Sequence, residues 1–335
     1  MSLDRIRLAS LHDKVISAEE ASAFIEDGMT VGMSGFTRAG EAKAVPLALV
    51  KRAHTNPLKI TLITGASLGN DLDKQLTEAG VLARRLPFQV DNTLRKAINN
   101  GEVMFIDQHL SETVEQMRNL QLKKPDVAII EAVAITEDGG IIPTTSVGNS
   151  ASFAIFAEKV IVEINTNLSP AFEGLHDIYI PSYRPTRQAI PLTQVDERIG
   201  THAINIDPAK IVGIVINNDL HDSPSTVTAP DDETQGIADH LIAFFEKEVA
   251  EERLPKNLGP LQAGIGSIAN AVLTGLKDSN FEDLVMYSEV LQDCTFELID
   301  AGKMKFASGS SITLSAKYGE KVFNNLEAYK DKLVL

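Results

Sequence analysis

The chain has 335 residues and a formal net charge of −15 at pH 7, with 44% hydrophobic and 23% charged residues. That length allows a large core and about two domains, and the composition is that of an ordinary globular protein. A surface this acidic repels phosphodiester backbones and anionic lipid, so it argues against nucleic acid and membrane as partners. The single cysteine, Cys294, excludes an intramolecular disulfide, and no apolar run is long enough to span a bilayer. We therefore expect a cytoplasmic protein.

Short apolar runs alternate with helical patterns from the start of the chain. Ser17 followed by Glu20 predicts a capping box, and Gly28 predicts the end of the helix that this box begins. The next predicted elements are a strand over residues 30–34, a helix from Pro46 to Lys51 and a strand over residues 60–64.

Three later strands are predicted over residues 127–130, 160–164 and 211–216. Each is a continuous apolar run instead of an alternating one, which is typical of strands that are covered on both faces. Parallel sheets with helices on both sides have this pattern. The predicted fold class is therefore α/β with mostly parallel sheets.

A domain boundary is predicted in the polar, proline-containing stretch of residues 219–232. We expect an N-terminal domain over residues 1–222, a linker over 223–232 and the start of a second domain over 233–335. The second domain begins with a helix whose apolar stripe is predicted to consist of Ile237, Leu241, Phe244, Phe245 and Val249.

The second domain continues with two strand–turn–helix units. In the first, residues 260–263 lead into a turn with Gly264, Ile265 and Gly266 and then a helix from Ser267 to Leu276. In the second, residues 284–287 lead to Glu289, with a helix expected at once after it. A last helix is predicted over residues 317–330. It is followed by a bare apolar end, residues 332–335, that requires something to pack on.

The glycine turn and Glu289 together predict acyl transfer. A strand–GxG–helix arrangement exposes backbone N–H groups beside the positive end of a helix dipole, which suits a phosphate or a developing oxyanion. A carboxylate at the carboxyl end of a strand can attack an activated acyl carbon. The turn could also be a weak dinucleotide site, because Ala269 stands in the place of the third glycine. No lysine follows as in a P-loop.

The chain resembles the acetyl-CoA hydrolase/transferase family, the class I coenzyme A transferases that include succinyl-CoA:acetate CoA-transferase. The resemblance runs from about residue 5 to residue 335 and is carried by six blocks in one order: residues 34–37, 63–67, 135–140, 146–150, 264–272 and 287–293. It implies two CoA-transferase-like domains, of which the second is incomplete here, because family members continue well beyond this length. It also implies a homodimer.

The resemblance implies a role for each element of the glycine turn and for Glu289. Glu289 matches the nucleophile, which forms a glutamyl anhydride and then a glutamyl-CoA thioester. The backbone N–H of Ile265 matches an oxyanion donor. The residues expected to contact CoA are Gly264, Ile265, Gly266, Ser267 and Ile268. The expected reaction transfers CoA between acetyl-CoA or succinyl-CoA and a small carboxylate such as acetate. CoA is then a substrate, and no cofactor or metal is expected.

Two further residues match family positions near the substrate. Ser67 matches a serine of the acyl pocket, and it could instead cap the next helix. Arg187 matches an arginine that binds the substrate carboxylate, and it could instead form a loop salt bridge. Two other functions stay open at this point. One is acyl-CoA thioester hydrolysis, and the other is a non-catalytic or incomplete fragment that binds CoA or assembles with the absent segment.

Overall fold

A computed structural model describes residues 2–226 and 229–335. The chain forms two compact units. Unit 1 joins the residues up to Ala189 with Gly200–Ser223, and unit 2 joins Ile190–Ile199 with the residues from Pro224 onward. The short segment Ile190–Ile199 therefore belongs with the later part of the chain. The domain limits given above stay a prediction.

Unit 1 is built on one large sheet. Its strands are β1 (Thr30–Met33), β2 (Ile60–Ile63), β3 (Leu82–Leu86), β4 (Met104–Phe105), β5 (Val127–Ile135), β6 (Ile141–Pro143), β7 (Lys159–Asn165) and β8 (Ile211–Asn217). Along the main path the strand order is β4-β3-β2-β1-β5-β7-β8, and every neighbouring pair is parallel. Strand β6 is antiparallel to β5 at one end. The order reverses between β1 and β5, which is the place where open α/β sheets leave a crevice at their carboxyl edge.

Helices cover both faces of this sheet. They are α1 (Ala18–Ser22), α2 (Ala44–Ala53), α3 (Leu72–Glu78), α4 (Asn92–Asn99), α5 (Leu110–Arg118) and α6 (Ser150–Phe156). Alternate residues of β5 enter opposite cores. Val127 and Ile129 join one buried cluster, and Ala128 and Ile130 join the other. This two-sided burial explains the continuous apolar runs and confirms the predicted α/β class.

The first helix is shorter than the sequence predicted. Its capping box is present, with Glu20 N–H donating to the Ser17 hydroxyl, but α1 ends at Ser22 and not at Gly28. The side chain of Arg52 on α2 explains this early end, because it donates to the carbonyls of Ser22 and Ile25. Both carbonyls thus accept from a cation, and that of Ser22 also accepts from Ile25 N–H at 3.1 Å in the turn that follows α1.

Unit 2 contains two parallel sheets. The larger has the order β14-β12-β10-β9, with β9 (Pro260–Leu261), β10 (Leu284–Tyr287), β12 (Met304–Ser308) and β14 (Leu333–Val334). A separate pair is formed by β11 (Val290–Leu291) and β13 (Ser311–Ile312). The helices are α7 (Asp232–Ala250), α8 (Ser267–Asp278), α9 (Asp293–Asp300) and α10 (Ala316–Phe323). The apolar residues at the chain end are buried as strand β14 and Leu335.

Two expectations for the later part of unit 2 need correction. The helix after Glu289 does not begin at once, since β11 intervenes and α9 starts at Asp293. The last predicted helix stops at Phe323, where Asn324 and Asn325 follow, and asparagine favours helix ends over interiors. The chain then continues as short 3-10 turns.

The predicted apolar stripe of α7 is only partly covered, because Leu241, Phe245 and Val249 are half-buried whereas Ile237 and Phe244 are exposed. Phe244 is 52% exposed and Ile237 is 36% exposed, while Ala238 is fully buried. The helix packs through small residues, because Gly275 of α8 lies under Ala238 and Ile242. The covered face of α7 therefore includes the small residue Ala238 beside Ile242, at the place where α8 presents a glycine. No helix in the described part of the chain is long and apolar enough to cross a membrane.

Candidate active site

Glu289 lies in the short loop between β10 and β11 of unit 2. Its side chain is exposed, and the backbone around it is held on the sheet. Ser288 N–H donates to the Ser308 carbonyl at 2.8 Å, and the Glu289 carbonyl accepts from Ser310 N–H at 2.9 Å. The carboxylate thus starts from a fixed backbone at the carboxyl end of a parallel strand and is open to solvent, as a nucleophile requires.

The glycine turn follows β9, the strand next to β10. Leu261 pairs with Met286, so both loops leave the same edge of the sheet. Gly266 has φ +140° and ψ 172°, a conformation available almost only to glycine, and it forms the N-cap of α8. A Cβ at Gly264 or Gly266 would meet no atom within 4 Å. The turn is therefore open on its outer side.

The amides of this turn are available to a ligand. Within residues 2–226 and 229–335, no hydrogen bond from the N–H groups of Gly264, Ile265 or Gly266 is present. The N-cap also lacks a side-chain hydrogen bond to α8. Unused backbone donors at a helix N-terminus, with the positive end of the dipole behind them, favour an anion.

Two polar side chains connect the turn to the Glu289 loop. The Ser288 hydroxyl accepts from Ala263 N–H at 3.3 Å and lies 3.2 Å from the Ala263 carbonyl. The Gln292 amide donates to the Gly264 carbonyl at 3.2 Å. The structure thus joins the two loops that carry the predicted nucleophile and the predicted oxyanion turn.

Ser288 and Gln292 were not selected from the sequence. Both flank Glu289 within the same sequence block. A feature of the sequence could have indicated them. Polar side chains beside a glycine turn are the groups that can fix loops lacking regular hydrogen bonds. Without the strand register, the sequence does not show that these two loops are neighbours.

Ile265 and Ile268 are exposed for 62% and 49% of their surface, and Tyr287 for 52%. Ser267, the first residue of α8, is partly buried. These residues surround the predicted CoA-contacting turn with apolar side chains that face solvent. Cys294, near the start of α9, is buried as expected for a core thiol, and burial raises its pKa to about 12.

Ser67 of unit 1 lies in the loop that follows β2. It is buried, and its carbonyl accepts from Arg38 N–H at 3.1 Å. It does not cap the next helix, because α3 has Asp71 at its N-cap. The capping alternative for Ser67 is therefore wrong.

A cavity of about 210 Å³ opens beside this loop. Its lining includes the neighbours of Ser67, the guanidinium-bearing Arg38 and, farther along the chain, Ser223. Four lining or adjoining residues have left-handed backbone conformations that side chains rarely adopt, namely Thr37, Arg38, Asn70 and Asp71. Such conformations cost free energy and concentrate at functional sites.

Arg38 is a candidate that the sequence reading missed. It is exposed at the cavity, and no ion pair with it is present among the residues that the structure describes. The sequence placed it only in a turn. Its left-handed conformation, which directs the side chain, cannot be foreseen from residue type because arginine rarely adopts it.

Arg187 forms an ion pair with Glu115 of α5 at 2.8 Å, and Arg118 reaches the same carboxylate at 3.0 Å. This matches the alternative of a loop salt bridge. A role in substrate binding would require the Arg187 guanidinium to exchange this partner for the substrate.

Residues 2–216 match the acetyl-CoA hydrolase/transferase N-terminal domain. The chain belongs to the acetyl-CoA hydrolase/transferase family. It is 44% identical over 333 residues to succinyl-CoA:acetate CoA-transferase of Clostridium kluyveri, covering 99% of this chain and 62% of that protein. It is 42% identical over 342 residues to acetyl-CoA hydrolase of Schizosaccharomyces pombe, covering 99% of this chain and 65% of that protein. The chain thus spans less than two thirds of the length of these relatives.

Solved structures share the fold of this acetyl-CoA hydrolase/transferase family member. RipA from Yersinia pestis superposes with a TM-score of 0.69 at 17% identity, covering 94% of this chain and 67% of that one. A 4-hydroxybutyrate CoA-transferase from Porphyromonas gingivalis gives 0.59 at 18% identity, covering 95% and 67%. At these identities the likeness concerns the fold alone.

Proposed function

We propose that the protein transfers coenzyme A between a short-chain acyl-CoA, such as acetyl-CoA or succinyl-CoA, and a small carboxylate such as acetate. The observation that carries this proposal is the Glu289 loop, fixed at a strand end and joined by Ser288 and Gln292 to a turn with unused amides. The named activities of the relatives support the same reaction class.

The proposed reaction has four balanced steps. The Glu289 carboxylate attacks the thioester carbon, which forms an acyl-glutamyl anhydride and releases the CoA thiolate. The thiolate attacks the glutamyl carbonyl, which gives a glutamyl-CoA thioester and the free acid of the donor. The acceptor carboxylate attacks this thioester, forming a second anhydride and releasing the thiolate again. The thiolate then attacks the acceptor acyl carbon, which yields the new acyl-CoA and regenerates Glu289.

The glycine turn contributes electrostatic stabilisation. Each attack places negative charge on a carbonyl oxygen, and the N–H of Ile265 is proposed as a donor to it. One such donor typically lowers the barrier by about 3–4 kcal/mol. The neighbouring residues Gly264, Gly266, Ser267 and Ile268 are proposed to contact CoA. The exposed apolar side chains of Ile265 and Ile268 offer a surface to its uncharged arm.

Ser67 and Arg187 stay proposals as acyl-pocket and carboxylate-binding residues. To them we add Arg38, because this residue lines the cavity beside the Ser67 loop. A guanidinium offers paired donors to a carboxylate, and the net charge of −15 makes a local cation necessary to attract an anionic substrate.

The test is covalent trapping at Glu289. The protein is incubated with acetyl-CoA, reduced with borohydride and digested, and the peptides are weighed. We expect the glutamyl thioester to be reduced at Glu289 and labelled acetate to exchange into acetyl-CoA. Glu289→Gln is expected to lose both signals, since an amide is not a nucleophile here, with exchange falling by several orders of magnitude.

Glu282→Gln is the matched control, because this side chain is 76% exposed and lies in the same unit just before β10. It should keep both signals. Absence of adduct and of exchange in the folded protein would end the proposal for this chain. CoA binding without turnover would favour a binding fragment, and recovery of turnover on adding the segment by which the relatives are longer would favour an incomplete enzyme.

Thioester hydrolysis is the second candidate, because relatives such as the Schizosaccharomyces pombe protein are named acetyl-CoA hydrolase. Here water attacks the anhydride or thioester in place of the acceptor. Measuring CoA release from acetyl-CoA with and without an added second carboxylate separates the two. Transfer predicts a new acyl-CoA that forms only when the second carboxylate is present, with no net release of free CoA, and hydrolysis predicts release of free CoA without any acceptor. A homodimer is expected in either case, and sedimentation measures it.

A further inference from the structure

A cluster of buried charges lies at the carboxyl edge of the unit 1 sheet, where the strand order reverses. Lys43 is its centre. The Lys43 ammonium contacts the Glu131 carboxylate at 2.6 Å, the Asp222 carboxylate at 2.7 Å and the carbonyl of Glu41 at 2.7 Å. Glu163 lies next to this group and accepts the N–H groups of Lys43 and Ala44 at the start of α2, both at 2.9 Å.

Glu41 belongs to this cluster and also contacts the loop beside the cavity near Ser67. Its Oε1 accepts from the Asn70 side-chain amide at 2.9 Å. A Cβ on Gly69 would lie 2.3 Å from that oxygen, and one on Gly35 would lie 2.7 Å from the Glu41 Cβ. The Glu41 side chain thus packs closely against two glycines, Gly35 and Gly69. It contacts the loop that contains Asn70 from the buried side.

The surroundings of Glu41 disfavour a negative charge. Its side chain is fully buried, and its Oε2 has no hydrogen-bond partner within the described residues. The Lys43 ammonium pairs with the carboxylates of Glu131 and Asp222, while Glu163 accepts backbone N–H groups. A buried carboxylate without a donor on one oxygen costs several kcal/mol, whereas a protonated carboxyl there costs much less.

We propose that Glu41 is a positioning residue that, as a neutral carboxyl, holds Asn70 and so fixes the wall of the cavity beside Ser67. The consequence for substrate binding rests on the proposed function. Asn70 transmits the contact, because it also donates to the His221 carbonyl at 3.1 Å and exchanges hydrogen bonds with the Ser223 hydroxyl at 3.0–3.1 Å. Asn70 and Ser223 both line the cavity.

The arrangement makes the loop sensitive to pH. The charged groups that face Glu41 are Asp222 after β8, Glu131 on β5 and Lys43 at the start of α2, with Glu163 on β7 behind them. Burial and then the charge of Asp222 raise the pKa of Glu41 to about 8. Ionisation above that value places a second negative charge beside Asp222, and the contact to Asn70 is expected to loosen.

The first test compares Glu41→Gln, Glu41→Ala and wild type by steady-state exchange. Glutamine reproduces the neutral carboxyl, so it should rescue the KM for the acceptor carboxylate to within about twofold of wild type near pH 6, while alanine raises it roughly tenfold. Near pH 9 the wild-type KM should rise and that of Glu41→Gln should not. Glu112→Gln, which removes an exposed charge from α5, is the control and should follow wild type.

The second test does not depend on activity. Amide hydrogen exchange is measured in peptides covering residues 65–71, and variants are compared with wild type at the same pH so that the intrinsic rate cancels. We expect wild type and Glu41→Gln to agree near pH 6 and wild type to exchange faster near pH 9. Agreement at both values would overturn the proposal, as would faster exchange of Glu41→Gln near pH 6. If no variant shows CoA exchange, the proposed function fails while this measurement still decides the positioning role.

Discussion

Lys43 is a buried cation, and its removal would leave the carboxylates of Glu131 and Asp222 without a charged partner. Its ammonium joins β5, through Glu131, to the loop after β8, through Asp222. Burial alone would lower the pKa of Lys43, but the carboxylates of Asp222 and Glu131 outweigh burial and raise its pKa well above the usual value. The residue therefore stays charged in the folded state. Its ammonium neutralises the carboxylates that it contacts.

We predict that Lys43→Met lowers the free energy of unfolding by about 3–5 kcal/mol, because it leaves buried carboxylates without their cation. Urea unfolding followed by circular dichroism measures this, as the chain has no tryptophan. Lys51→Met is the control on the same helix, where the side chain is 77% exposed and 3.4 Å from Glu19. That change should stay within about 0.5 kcal/mol. Equal losses in both variants would contradict the role assigned to the buried cluster.

At the scale of elements, the units that matter are the loops after parallel strands. The chain from β9 to α8 and the chain from β10 to β11 leave one sheet edge together, and side chains, not backbone pairing, join them. Gly266 permits this geometry through its backbone conformation, whereas Gly264 has no such requirement. The two glycines of one short turn are therefore not equivalent.

Alanine substitutions at these two glycines distinguish the effect of backbone conformation from that of steric obstruction. Gly266→Ala should destabilise unit 2 by about 1–3 kcal/mol and reduce CoA exchange, because alanine cannot hold φ +140° without strain although nothing obstructs its methyl group. Gly264→Ala meets open space at an ordinary φ and should cost little stability. Thermal unfolding and exchange kinetics measure both. A Gly264 variant as unstable as the Gly266 variant would contradict the conclusion that only Gly266 requires a glycine conformation.

Much of the fold followed from sequence patterns with a local cause. The runs that became β5, β7 and β8 were continuous because both faces of the sheet are covered. The capping box at Ser17 formed because its partners are three residues apart. The errors had distant causes. Helix α1 ends where Arg52 reaches its carbonyls, and α7 buries Ala238 because Gly275 lies opposite.

The residues of the candidate site likewise comprise some that local sequence indicates and others that depend on distant contacts. Glu289 and the glycine turn could be proposed from neighbours in the chain, and the register of β9 with β10 then brought their loops together. Arg38, Ser288 and Gln292 could not, because their importance depends on a rare backbone conformation or on contacts across strands. Nor could the Glu41 cluster be foreseen. It gathers residues that are far apart in the chain, from Glu41 to Asp222.

At the scale of the whole molecule, the buried acids give stability a definite pH dependence. The pKa of Glu41 is raised from 4.5 to about 8 and that of Glu131 from 4.5 to about 7, in both cases chiefly by burial. The folded chain therefore holds protons that the unfolded chain has already released between these values. This contribution is complete below pH 4.5 and is lost as pH rises through about 8.

We accordingly predict that the urea midpoint falls between about pH 5 and pH 9, and that Glu41→Gln makes this fall shallower because its amide does not titrate. Urea titrations at a series of pH values, followed by circular dichroism, measure the slope. Glu112→Gln, an exposed charge change, should leave the slope as in wild type. A midpoint that rises across this range would contradict the assigned protonation.

The burial of Cys294 has a practical meaning for following ligands at the turn. A thiol with a pKa of about 12 that is shielded from solvent reacts very slowly with maleimides and methanethiosulfonates near neutral pH. Since it is the chain's single cysteine, the wild-type protein already serves as an unreactive background for site-directed labelling. A fluorophore or nitroxide attached through Ile265→Cys, where the native side chain is 62% exposed, would test whether CoA binds at the turn without any prior removal of native thiols.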